Sequence, residues 1–284
     1  MRPQFETCLP LVLFFAGCIS SPHNPRTPEP APEPSSAVVA AGAPTSWTFS
    51  FAPGLASYRI LRSAVIESND TTPEREISTN LTHESITLQT VGDTVAFIAA
   101  IDTFATTTQG MIGAAQAVQL PLQLTGSVTN DSLIISGDSL SSCIPLRTAL
   151  ITDVHNLLPR LPALLSPNSA WRDSTNFLGC QGSIPTRLRL VRAYKAVATS
   201  SYENIPVLVI QRADTIHAEG EGAQQQHRLL FEASGTGNAT YYLDASSGRI
   251  LRLVVDQNLS LTISASGRQR HFRQSTKQEF LLVL

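Results

Sequence analysis

Charge is scarce in this chain: Asp, Glu, Lys and Arg make up 15% of its 284 residues, and the net charge is -2. With no basic excess, composition points neither to a nucleic-acid partner nor to an electrostatically held membrane patch. Lysine is nearly absent, so arginine supplies 18 of the 20 cations. Aromatic residues reach only 6%, and the four cysteines are too few for a disulfide scaffold. No apolar run approaches the roughly 20 residues that span a bilayer; the longest covers residues 9 to 19. Hydrophobic residues nevertheless amount to 42%, which excludes a disordered or collagen-like chain. What remains is a globular body, long enough for one large domain or two small ones, whose N-terminus alone can touch a membrane.

That N-terminus reads as an address. Arg2 precedes the short apolar stretch CLPLVLFFAG, and small residues, Ala16 and Gly17, stand before Cys18. One positive charge, an h-region too short to span and small residues at the cut describe a secretory signal over residues 1–17. The tetrapeptide FAGC at 15 to 18 resembles the lipobox of bacterial lipoproteins, with Phe15 where Leu is usual and Pro10 interrupting the h-region. The resemblance implies that Cys18 is acylated and becomes the first mature residue. Each buried methylene of such an anchor contributes about 0.8 kcal/mol, so several acyl chains hold the chain at a membrane effectively permanently. Ile19 stands where an Asp would imply inner-membrane retention, so the resemblance implies the outer membrane of a bacterial envelope, facing the periplasm or the surface. The alternative is an ordinary secretory signal ending near a cysteine.

Residues 18–46 follow as a tether. Pro22, Pro25, Pro28, Pro30, Pro32, Pro34 and Pro44 are seven of the chain's 18 prolines, and so dense a set favours polyproline II at about 3.1 Å per residue over any packed structure.

From Trp47 onward the period is two. Val118, Leu120, Leu122 and Leu124 alternate with Gln119, Pro121, Gln123 and Thr125, and Leu259, Leu261, Ile263 and Ala265 alternate with Ser260, Thr262, Ser264 and Ser266. One apolar and one wet face per strand is the mark of antiparallel sheets. Similar runs occupy 57–67, 76–90, 93–105, 186–199, 205–217, 227–234, 239–244, 249–256 and 269–284, with turn signals at Gly92-Asp93, Gly220 and Gly222, Gly235 to Asn238, and Ser247-Gly248. Only residues 146–158, LRTALITDVHNLL, carry a helical stripe, and the proline-rich stretch to Pro167 ends it. The expected fold is therefore mostly β: one domain over 47–284, a long antiparallel meander of roughly ten strands curled into a half-barrel or two packed sheets. A single helical insert lies near 146–165, between two halves that echo each other through Tyr58 and Tyr194 in their long strands. Strands that do not alternate with helices exclude a parallel α/β fold.

This strand pattern, with phrases such as YYLDASSGRILRLVV, resembles envelope lipoproteins of uncharacterised function and, more loosely, the half-open β-barrels of lipoprotein carriers that hold acyl chains. The resemblance brings no functional residue with it. Cys143 and Cys180 are the two cysteines left to the mature domain, and an even pair in an oxidising compartment reads as a disulfide. His23, His83, His155, His217, His227 and His271 show no HExxH and no paired spacing, so no metal and no cofactor is expected. Gly137-Asp138-Ser139-Leu140 resembles the signature of GDSL esterases, whose serine is served by a later Asp-x-x-His pair, a spacing that Asp214 and His217 supply. That family is an α/β fold rich in helices, and the surrounding sequence here is a β-meander.

The resulting expectation is a non-enzymatic, membrane-anchored envelope lipoprotein binding an apolar ligand such as lipid. Its alternatives are an envelope scaffold that binds a partner protein and, behind both, the esterase. The anchor is checked by fractionation: Cys18→Ser is expected to move the protein out of the membrane fraction, and an equally membrane-bound variant contradicts acylation.

Overall fold

The computed structural model describes residues 46–68, 74–109, 120–136, 143–224, 227–244 and 246–283. The signal, Cys18, most of the tether and the GDSL tetrapeptide lie outside the described residues. After β1 (Trp47–Thr48), the first half supplies β2 (Gly54–Ser68), β3 (Arg75–Val91), β4 (Thr94–Gln109), β5 (Leu122–Val128) and β6 (Leu133–Ile135). Helix α1 (Pro145–Leu157) and β7 (Leu164–Leu165) follow, and the second half supplies β8 (Ala170–Gln181), β9 (Ile184–Tyr202), β10 (Ile205–Gln224), β11 (His227–Asp244), β12 (Ile250–Ala265) and β13 (Arg268–Val283).

Eleven strands form one antiparallel sheet in the order β6-β5-β4-β3-β2-β13-β12-β11-β10-β9-β8, curled into a half-barrel; β1 and β7 pair separately. The two halves are joined where β13 pairs with β2, from Phe272 opposite Ser68 to Val283 opposite Ser57. Among the described residues both edges stay unpaired, and one of them, β6, is only three residues long, which keeps that template for further pairing short.

The concave face is the buried one. Along β9 and β10, Leu190, Tyr194, Ala196, Leu208, Ile210, Ile216 and Ala218 point inward. Arg187, Arg189, Lys195, Gln211 and Glu219 lie between them on the exposed face. Two apolar clusters result. The larger includes Ile60, Phe97, Ile101, Leu208, Tyr241, Leu253 and Phe280 together with Leu146, Leu150, Ile151 and Val154 of α1. The smaller gathers Ile66, Ile184, Leu229, Phe231, Leu261 and Phe272 at the other end of the strands, with no residue of α1. The helix therefore fills one half of the trough and leaves the other half open to its own side chains. Around it, Phe49 and Phe51 pack edge to face at 5.0 Å within the larger cluster, and the Phe49 amide donates to the Ala163 carbonyl at 2.8 Å.

The helical expectation over 146–158 agrees with α1 to one residue at each end. Pro145 opens it, where its missing N–H costs nothing, and no side chain caps the N-terminus. Several strand expectations need correction. Gly235 to Asn238 is no turn but the middle of β11, and Gly220 and Gly222 lie within β10. A β-carbon on Gly235 would stand 2.0 Å from the Asn258 carbonyl oxygen, and one on Gly220 would stand 2.5 Å from that of Pro185. These glycines mark close approach of neighbouring strands, which a glycine inside a strand also signals. Strand β8 (Ala170–Gln181) shows no clean alternation in the sequence, because its inner positions, Trp171, Asp173, Thr175 and Phe177, mix polar and apolar types.

Cys143 and Cys180 are joined by a disulfide, with Cα atoms 5.5 Å apart. It staples the residue two before α1 to the end of β8, and the Cys180 amide donates to Thr148 Oγ1 of the helix at 2.7 Å. Closing a loop of 37 positions stabilises the fold by roughly 4 kcal/mol in the chain-entropy estimate. Accordingly, a Cys143→Ser, Cys180→Ser double variant is expected to unfold at lower denaturant by that order. Unchanged stability, or free thiols at both positions in never-reduced protein, contradicts the staple.

Candidate functional site

Three arginines project from the walls of the trough onto α1. Arg62 of β2 pairs with Asp153, and its Nη1 donates to Thr82 Oγ1 at 3.1 Å. Arg212 of β10 donates to Asn156 Oδ1 at 3.0 Å and to the Tyr241 hydroxyl, while its Nη2 donates to Asp214 Oδ2 at 2.8 Å. Arg192 of β9 donates to the His155 carbonyl at 3.3 Å, one of the carbonyls that the end of a helix leaves without a partner inside it. Asp153, His155 and Asn156 are all buried, so the last turns of α1 present a polar face to guanidinium groups rather than to water.

Burial sets the protonation of this seam. It raises the Glu84 carboxyl well above the usual carboxylate range; the Asp153 carboxylate raises it further, and Arg62, 3.8 Å away, pulls it back. Glu84 and Asp153 thus share one cation. Burial also lowers His155 from 6.5 to about 3, helped by the charges of Arg192 and Arg160, so its ring stays neutral where it stacks on Phe177 at 5.2 Å. Burial raises the Tyr58 and Tyr194 hydroxyls out of any physiological range.

Against α1, and reaching from the seam residues Arg62, Asp153, Arg192 and Arg212 toward the smaller cluster, lies a partly open cavity of about 170 Å³. Its walls differ. Phe177, Leu188, Ile216, Phe231 and Leu261 give an apolar side, whereas Ser78, Asn80, Gln274, Thr276 and Gln278 give a polar one. The polar side follows from the phase of β3, in which Glu76, Ser78, Asn80, Thr82 and Glu84 face inward and Leu81 faces out. The concave face is therefore amphipathic.

The staple residues Cys143 and Cys180 come together as expected. Cys18 and Ser139 fall outside the described residues. Asp214 and His217 do not come together: they are three apart in one strand, and a period of two places Asp214 on the buried face and His217 on the exposed one. Asp214 is engaged by Arg212 instead, so this pair does not form an acid–base couple. Among the described residues, no three His, Cys, Asp or Glu side chains gather into a group that could hold a metal ion. Sequence reasoning missed Arg62, Glu84, Arg192 and Arg212, yet a signal was present. Arg192 stands in step with Leu188, Leu190, Tyr194 and Ala196, and Arg212 with Leu208, Ile210 and Ile216; a charge in phase with an apolar face is either paired or functional.

No protein-family model and no curated protein matches the chain. Among solved structures it is similar to a mutant of the Rh. blastica porin, with a TM-score of 0.26 and 8% identity over 79% of this chain and 99% of the porin. It is similar also to OmpT of Vibrio cholerae, with a TM-score of 0.22 and 8% identity over 82% of this chain and 100% of that one. Scores this low carry nothing about function. The sidedness of the sheet differs from that of a spanning barrel, which shows an apolar band to lipid and a polar lumen. Here Arg187, Arg189, Glu232, Asn238 and Asp256 lie on the outside, and Phe231, Leu253 and Leu261 lie within.

The depressed His155 fixes a direction of pH dependence. Its ring is neutral in the folded state down to about 3 but takes a proton near 6.5 when unfolded, so its contribution is complete above pH 6.5 and is lost as the pH falls from there toward 3. The slope from this one group is at most roughly 1.4 kcal/mol per pH unit. Denaturant titrations across that window are expected to show His155→Gln losing less stability than the wild type on acidification; parallel curves contradict the burial of a neutral ring.

Proposed function

We propose that this chain is a non-enzymatic envelope lipoprotein, anchored through Cys18 and held off the membrane by residues 18–46, whose half-barrel binds a lipid-like ligand. The observation that carries this reading is the division of the trough: α1 fills one half, and the cavity of about 170 Å³ opens beside it over an apolar wall. A space of that order, lined by Leu, Ile and Phe, takes up a benzene-sized apolar molecule in other proteins, and a partly open one admits a chain that extends beyond it. Each Å² of apolar surface covered contributes about 25 cal/mol, so a buried alkyl chain is retained through purification. The FAGC tetrapeptide and the tether support placement at the bacterial outer membrane. The polar outer face of the sheet fits a body that stands in water rather than in the bilayer.

Native mass spectrometry of the Cys18→Ser chain, purified without detergent, tests the reading. The expected result is a co-purifying lipid that leaves on denaturation, with no hydrolysis of short acyl esters. A chain free of ligand in every preparation contradicts lipid binding and leaves the scaffold alternative. Ester hydrolysis that disappears in Ser139→Ala contradicts the non-enzymatic reading itself.

A further inference from the structure

Arg192 is the one member of the seam without a carboxylate of its own. It is 2% exposed and lines the cavity; among the described residues it has a single hydrogen bond, the 3.3 Å contact to the His155 carbonyl, and its Nε has no partner. Two aspartates flank it across the sheet, Asp214 in register on β10 and Asp173 on β8, but each belongs to another arginine. Arg212 Nε lies 2.7 Å from Asp214 Oδ1, and Arg160 Nε lies 3.6 Å from Asp173 Oδ2. A guanidinium cannot shed its proton in a protein, and a buried charge without a partner is costly. Its planar donor fork matches a carboxylate or a phosphate.

Position adds the second observation. From Arg192 the inner face of β9 runs through Leu190, Leu188 and the buried Thr186 to Ile184, in the smaller apolar cluster, a distance of roughly 26 Å at strand spacing. The charge thus sits at the deep, helix-covered end of a lane that becomes apolar outward. Resting on the proposal that the trough binds a lipid-like ligand, we infer that this ligand is a single-chain amphiphile with an oxyanion head, a carboxylate or a phosphate monoester. The head binds at Arg192 beneath α1, and the alkyl tail lies along Leu188 toward Ile184 and Phe231.

Calorimetric titration of the detergent-free Cys18→Ser chain with decanoate, decyl phosphate and decanol tests this at neutral pH. One or both anions are expected to bind more tightly than decanol, and the tighter of the two identifies the head. Arg192→Gln keeps a donor for the His155 carbonyl but removes the charge; it is expected to collapse the preference for the anion by roughly thirtyfold or more. Arg192→Lys, which keeps the charge but loses the fork, serves as the second variant and is expected to retain part of the preference. Equal affinity for all three compounds, or a preference unmoved in Arg192→Gln, overturns the assignment while leaving the lipid-binding reading intact. Failure of all three to bind overturns both.

Discussion

A thirteen-residue helix without a side-chain N-cap has little stability of its own, and α1 owes its place to what it meets inside the trough. Apolar packing by Leu146, Leu150, Ile151 and Val154 drives it inward, but packing alone does not fix its rotation or its depth. The arginines do. Arg62 reaches Asp153 from β2, and Arg192 and Arg212 reach His155 and Asn156 from β9 and β10, on the opposite wall. Breaking the buried Arg62–Asp153 pair by removing a single partner costs about 3–5 kcal/mol, because the group left behind stays charged and dry. The helix is thus pinned between the two halves of the sheet, and the boundary between filled and open trough lies where these arginines stand.

The rest of the architecture serves that placement. The disulfide ties the approach to α1 to the end of β8, and Thr148 ties the helix itself to the Cys180 amide. Phe49, Phe51 and Leu165 complete the larger cluster around the helix, and the smaller cluster receives no such cover from α1. Filled half and open half are consequences of one helix being too short, at about 20 Å, to line strands of sixteen to twenty residues from end to end.

Much of this is legible in the residues, and the remainder has physical reasons. Alternation in the stretches ending at Leu124 and Ala265 reveals an antiparallel sheet, and the lone helical stripe at 146–158 reveals α1, because both are local periods. The phase of β3 is not local: Glu76 to Glu84 turn inward only because Arg62 and the polar side of the cavity receive them. For the same reason Asp153 reads as the wet side of a helix until Arg62 is placed opposite it. The Asp214 and His217 spacing looks like chemistry in the sequence, and a two-residue period separates its members. Glycines 220 and 235 read as turns because a bare strand interior and a turn make the same demand for a missing β-carbon. The role of Cys18 rests on the tetrapeptide alone.

What unites fold and proposed function is a trough filled by α1 at one end and carrying the apolar wall of Leu188, Ile216, Phe231 and Leu261 at the other, the wall on which the proposed alkyl chain would lie. Hydrogen exchange followed by mass spectrometry, with and without decanoate, tests that division most directly. The account predicts slowed exchange in the strand segments around 184–190, 214–218, 229–233 and 259–263, with α1 already protected before ligand is added. Protection gained only on the unpaired edges β6 and β8, or an α1 that exchanges freely without ligand, would contradict it.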